Sequence, residues 1–229
     1  IIRSMKKQIW LLAFTAALLA DITGIITGNE TIEWISKPLI LPFLFLYFYT
    51  ALNPVQHGFK KWVYLALFFS WCGDVLLMFQ GQNEIFFLLG LSAFLLAHIF
   101  YILFFHFIRI YEGIRSNALY LVIVVIYYGL LIGWLSPYLA QFKIPVRIYG
   151  VVITVMLMMA MHLTGLKNRK AGRMILAGAI LFVISDSVLA VNRFYQAFSA
   201  AGIIIMLTYG AAQLFIVKGA IEYLRGTNK

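Results

Sequence analysis

The sequence predicts an all-α fold: a polytopic membrane bundle of about eight transmembrane helices, with both termini cytoplasmic. Three observations carry that expectation. The 229 residues are 63% hydrophobic and only 11% charged, whereas a soluble domain carries about 25% charged residues. The apolar residues come in unbroken runs, not in the alternation that a β-barrel wall needs. Each run is close to the about 20 residues that a helix needs to cross the hydrocarbon core. A single integral-membrane domain over 1–229 follows, because no stretch between the runs is long or polar enough to fold outside the bilayer.

The first run, 8–27, follows Lys6 and Lys7 and stops at Gly28-Asn29-Glu30. It is long enough to cross and contains Asp21, so it reads as a span and not as a cleavable leader. The second, 36–53, stops at Asn53-Pro54; the third, 62–80, at Gly81-Gln82-Asn83; the fourth, 85–108, at Glu112-Gly113. The fifth, 116–136, closes on Ser136-Pro137, and the sixth, 144–164, on the basic stretch 165–172. The seventh, 172–191, and the eighth, 199–221, are parted by 196–199. Every break is turn chemistry or a charge cluster. Glycines 24, 90, 178 and 210 sit inside spans, where they let helices approach closely.

Lysine and arginine placement sets the orientation. With the N-terminus inside, the inner segments hold Arg3, Lys6, Lys7, Lys60, Lys61, Arg109, Arg115, Lys167, Arg169, Lys170, Arg173, Lys218, Arg225 and Lys229. The outer segments hold Lys37, Lys143, Arg147 and Arg193. Fourteen against four is a positive-inside bias. The net charge of +10 therefore reflects cytoplasmic loops facing anionic lipid, and no nucleic-acid partner is expected. The lone cysteine, Cys72, excludes an intrachain disulfide and a cysteine metal cluster.

The acids sort by type. The five glutamates (30, 33, 84, 112 and 222) sit in loops or at span ends, whereas all three aspartates, Asp21, Asp74 and Asp186, lie inside apolar runs. An aspartate near mid-span costs about 2.5–3.5 kcal/mol on insertion scales, so three of them point to function. Spans one, three and seven run the same way, and a rise of about 1.5 Å per residue puts the three carboxyls about 18–21 Å from the inner edge. Asp186 and Arg193 are seven residues apart and so share a helix face, with the arginine about 10 Å nearer the outer surface. Lys37 opens span two at that surface. A layered site is expected, with carboxylates deep and cations at the mouth. His98 is expected about 10 Å deeper than the aspartates, and Tyr209 and Gln213 share a face of span eight.

These residues also carry a resemblance. Ser36-Lys37-Pro38, the run from Phe69 to Leu77 around Gly73-Asp74, and Ala97-His98-Ile99-Phe100-Tyr101 are similar to the lysoplasmalogenase-like YhhN membrane protein family. So is the run from Phe182 to Phe194, which holds Ser185-Asp186-Ser187 and Asn192-Arg193-Phe194, with Tyr209 and Gln213 following. The pieces run from span two to span eight; Asp21 lies outside them. The resemblance implies an eight-helix hydrolase that cleaves the vinyl ether of a lysophospholipid, releasing a fatty aldehyde and glycerophosphocholine or glycerophosphoethanolamine.

That chemistry protonates the alkene carbon farther from the ether oxygen and adds water to the resulting oxocarbenium ion. It needs one protonated carboxyl and one carboxylate, and Asp74 with Asp186 are the candidate pair. His98 could relay protons. Ser185, Asn192 or Tyr209 could orient water, Gln213 lies beside them, and Lys37 and Arg193 suit a lipid phosphate. No cofactor is expected, and no metal, because His98 reads as too deep to complete a two-Asp, one-His site. The rival reading is a proton-coupled small-molecule or lipid transporter using the same Asp and His residues. A bacterial inner membrane is the expected location.

Overall fold

In the computed structural model, residues 2–226 are described, with side chains described from Lys7 onward. Eight helices follow in order: α1 (Ile2–Thr27), α2 (Glu30–Leu52), α3 (Lys60–Met78), α4 (Glu84–Tyr111), α5 (Ala118–Leu135), α6 (Lys143–His162), α7 (Arg169–Ala190) and α8 (Ala201–Gly226). Among the described residues there is no strand. All eight helices are long and apolar enough to cross a membrane. The protein is an integral, multi-pass membrane protein.

Local chemistry explains where the helices start. Asn29, Asn83, Asn117 and Asn168 each cap a helix, accepting from the backbone N–H of Ile32, Ile85, Leu119 and Ala171. The Asn29 cap lets α2 begin at Glu30, six residues before the expected apolar start, and Gly28 makes the turn from α1 with φ +64°. In α2, Pro42 lacks the N–H that would bond the carbonyl of Pro38. The Trp71 indole of α3 supplies the missing donor at 3.0 Å, so a carbonyl freed inside the bilayer is satisfied by the neighbouring helix.

Short connections make successive helices antiparallel, and cross-bundle contacts agree. Arg225 at the end of α8 donates to the Ala51 carbonyl at the end of α2, and Tyr223 donates to Glu112 after α4 at 3.1 Å. These ends share the side of the bundle where α1 starts and α8 stops. At the far side, Trp34 at the start of α2 meets Phe79 after α3 at 5.1 Å, and Gln141 donates to Glu84 at the start of α4 at 2.8 Å.

The hairpins α1–α2, α3–α4 and α7–α8 pack tightly. A Cβ on Gly178 of α7 would sit 2.7 Å from the Ala212 carbonyl of α8, and one on Gly90 2.7 Å from Leu77. Close approach of this kind is how helices associate where lipid supplies no hydrophobic drive. The core runs the length of the bundle and includes Phe14, Phe48, Tyr101, Phe105 and Phe182. α5 stands apart, leaning chiefly on α6, with Leu121, Val122, Val125, Ile126 and Leu130 exposed. Just after α7, residues Val191–Tyr195 form one π-helical turn.

Candidate active site

At the far side of the bundle a cavity of about 320 Å³ opens between α1, α2, α3, α4, α7 and α8. Its polar lining comes from helix ends that the antiparallel order brings together. α2 supplies Glu33 and Lys37, α3 supplies Asp74, with Gln80 just beyond it, α7 supplies Ser185 and Asp186 with Asn192 just beyond it, and α8 supplies Tyr209. Ile25, Leu77, Phe94 and Met206 fill the gaps between them. Six of the nine sequence-derived candidates therefore share one cavity: Lys37, Asp74, Ser185, Asp186, Asn192 and Tyr209.

Each of the two aspartates in the cavity carries a tyrosine. The Tyr209 hydroxyl donates to Asp74 Oδ2 at 2.7 Å, and the Tyr149 hydroxyl donates to Asp186 Oδ2. Each bond holds one carboxyl oxygen and leaves the rest of the group to face the cavity. Asp74 is buried, and the Asp186 side chain is 14% exposed. Ser185 donates to the Ile205 carbonyl at 3.1 Å, which ties α7 to α8 beside Asp186. The Asn192 side chain accepts from the Phe198 N–H at 3.1 Å and so shapes the loop above the cavity. Among the described residues, no carboxylate lies within 4 Å of Lys37, so its ammonium is available to an incoming anion.

The remaining candidates lie elsewhere, each for a physical reason. His98 does not sit 10 Å below the aspartates; its Nε2 is 3.9 Å from Asp186 Oδ2. Only an α4 that started flush with the membrane would carry His98 that deep. The helix has 28 residues, about 42 Å by rise, and overshoots a hydrocarbon core of about 30 Å. His98 is fully buried and held edge-on between Tyr149 and Phe182 at ring distances of 5.3 and 4.6 Å. Arg193 does not stand above Asp186. The π turn changes the winding there, and the guanidinium lies over the Phe87 ring at 5.0 Å, outside the cavity lining. Gln213 is fully buried below the cavity, accepting from the Tyr101 hydroxyl at 2.5 Å and donating to Ser70 at 2.9 Å. Asp21 is fully buried between α1 and α2, accepting from Ser36 at 3.3 Å, while its other oxygen has no hydrogen-bond partner.

Sequence reasoning missed three residues. Tyr149 is the single tyrosine of α6, and a tyrosine in an aliphatic span gives little to separate it from lipid contact. Glu33 reads in the sequence as one of five glutamates in loops or at span ends, and Gln80 as no more than the last residue of the third run. Among the described residues, no group of three or more His, Cys, Asp or Glu side chains is placed to hold a metal ion.

Two carboxyl groups in one small cavity, each oriented by a phenol and overlooked by a lysine, equip the site for proton transfer to an anionic, amphipathic molecule. Similarity to known proteins supplies the family. The family model described as the YhhN family matches residues 32–220. Lysoplasmalogenase TMEM86B of Homo sapiens is 32% identical over 197 residues, covering 85% of this chain and 79% of that protein. Lysoplasmalogenase TMEM86A of Bos taurus is 29% identical, over 83% of this chain and 80% of its own. A lysoplasmalogenase of Mycobacterium tuberculosis is 31% identical, over 70% of this chain and 60% of its own. No solved structure matches the chain.

Proposed function

The chain belongs to the YhhN family, and from that premise we propose that it is a lysoplasmalogenase acting through an intramembrane aspartate pair. It hydrolyses the vinyl ether bond of lysoplasmalogens to a fatty aldehyde and glycerophosphocholine or glycerophosphoethanolamine. The observation that carries the mechanism is the shared cavity of Asp74 and Asp186 beneath Lys37.

A vinyl ether is stable until a proton reaches the alkene carbon β to its oxygen, so the site must hold a carboxylic acid away from bulk water. A second carboxylate then stabilises the oxocarbenium ion and receives a proton from the attacking water. Asp74 and Asp186 fill these roles, and the two tyrosine hydroxyls keep the carboxyls aimed. His98, beside Asp186, supports that carboxyl. Lys37 takes the lipid phosphate, and Ser185, Asn192 and Tyr209 complete the polar wall. Arg193 and Gln213 lie outside the lining and take no substrate role. The partners are the lysophospholipid and surrounding membrane lipids. The positive-inside bias supports cytoplasmic termini, and the location proposed is a bacterial inner membrane, with the cavity opening toward the outer face.

The test is aldehyde release by purified protein in detergent with excess chelator. The substrates are 1-alkenyl-lysophosphatidylethanolamine and its choline counterpart, with saturated 1-alkyl and 1-acyl lysolipids as controls. Aldehyde from the vinyl ethers alone is the expected outcome. Silence on both vinyl ethers from folded protein, with gradient-dependent flux in sealed vesicles, would replace the hydrolase with a carrier.

A further inference from the structure

Asp186 belongs to two cavities of opposite character. Besides the polar cavity, it lines a narrow slot of about 40 Å³ between α5, α6 and α7, walled by Leu131, Ile153, Val183 and Ala190 among others. Almost nothing polar is offered there. Thr154 turns its hydroxyl back onto the Gly150 and Val151 carbonyls at 2.8 and 2.9 Å, and Ser187 donates to the Val183 carbonyl of its own helix, which leaves its oxygen to accept from the Tyr127 hydroxyl at 2.5 Å across the gap between α5 and α7. Asp74 lines the polar cavity and not the slot.

We propose that the slot takes the first carbons of the alkenyl chain while the polar cavity takes the glycerophospho headgroup, so that the vinyl ether crosses at Asp186 and Asp186 is the proton donor. The inference rests on the hydrolase reading and adds to it the substrate's orientation and the identity of the acid. A lysoplasmalogen changes from polar to apolar at its vinyl ether, and Asp186 is the one carboxyl of the pair where the protein makes the same change. A volume of about 40 Å³ is room for about three waters, and so for only a few methylenes. The rest of the chain runs out past α5, whose exposed face carries Leu130, Ile126 and Val122, into lipid.

The steps balance with water alone. The Asp186 proton bonds to the alkene carbon β to the ether oxygen through the alkene electron pair, leaving an oxocarbenium ion. Water oxygen bonds to the cationic carbon, and its proton goes to the Asp74 carboxylate. The hemiacetal hydroxyl then returns a proton to Asp186 as the bond from carbon to the glycerol oxygen breaks. Asp74 protonates that oxygen, so both aspartates regain their starting forms.

Two measurements test this. Wild-type protein is photolabelled with a saturated 1-alkyl-ether lysophosphatidylcholine bearing a diazirine at the fourth chain carbon. Label is expected on slot residues such as Leu131, Ile153 and Val183; label confined to Leu77, Phe94 and Met206 overturns the orientation. Separately, Asp74→Asn and Asp186→Asn are incubated with vinyl ether lysolipid in D2O and the unconsumed substrate is recovered. Asp74→Asn still protonates the alkene but stalls before water addition, so the vinyl ether re-formed from the ion carries deuterium at the carbon β to the ether oxygen. Asp186→Asn leaves the substrate unlabelled. Deuterium with Asp186→Asn, or with neither variant, overturns the assignment of the acid. Aldehyde release by the wild type judges the hydrolase reading separately, so the two can fail independently.

Discussion

At the scale of single residues, the site depends on donors that aim carboxyl groups rather than on the carboxyl groups alone. Tyr209 and Tyr149 each donate to one aspartate, and a hydrogen bond to a charged group is worth about 1.5–3 kcal/mol. Tyr209→Phe and Tyr149→Phe should each lower kcat about tenfold or more with little change in KM or in the unfolding midpoint; an unchanged kcat would reduce the phenols to packing. Lys37 has no carboxylate within 4 Å among the described residues, so Lys37→Met should raise KM for lysoplasmalogen about tenfold while Lys37→Arg stays near the wild type. Equal KM values across all three proteins would remove Lys37 from phosphate recognition. The aspartates were legible in the sequence because a carboxyl in an apolar run is conspicuous. Tyr149 was not, because a tyrosine in such a run is ordinary.

At the scale of helices, α2 and α3 are coupled through a defect. The Pro38 carbonyl that Pro42 leaves unbonded accepts from Trp71. Trp71→Phe strands that carbonyl, and interhelical hydrogen bonds in membranes are worth about 0.6 kcal/mol on average and up to about 1.7. The single variant should lower the detergent unfolding midpoint by a few degrees. In Trp71→Phe/Pro42→Ala the helix closes its own bond, so the second change should recover part of the loss; purely additive losses would show that the indole bond carries no coupling. Gly178 answers a harder constraint, since any Cβ meets the α8 backbone. Gly178→Val should cost more stability than the tryptophan variant and separate α7 from α8 near Ser185. Most helix ends were readable from turn residues and charge clusters, but α1 and α2 each begin six residues before their apolar runs and α8 continues five residues past its own. The π turn was not readable, because Val191–Tyr195 contains neither proline nor glycine, and it is this turn that carries Arg193 onto Phe87.

For the whole molecule, an even number of antiparallel helices puts the start of α1 and the end of α8 on one side, with the cavity at the other. Reporter fusions at the two termini should both read as cytoplasmic, and a soluble thiol reagent added from outside should reach a cysteine placed at Gln80 but not one placed at Gln56. Opposite locations for the two termini would break the antiparallel order. The three tight hairpins form the rigid part, whereas α5 leans on α6 and meets α7 mainly through Tyr127 and Ser187. α5 is therefore the element with the least to lose by moving when a chain enters.

The sequence by itself determined the number of spans, their limits to within a few residues, and the presence of carboxyls inside the bilayer. Those properties belong to contiguous runs: a span needs length and apolarity, a break needs turn chemistry, and a buried aspartate stands out against its neighbours. Which way each helix faces, and how deep it sits, was decided only by the tertiary structure. An apolar helix in lipid has no wet face to fix its rotation, so packing sets it: glycines let α7 close on α8, a π turn redirects Arg193, and an overlong α4 brings His98 up to Asp186. The same packing delivered Tyr209 to Asp74 and Tyr149 to Asp186, from helices whose sequences carry no sign of those pairings.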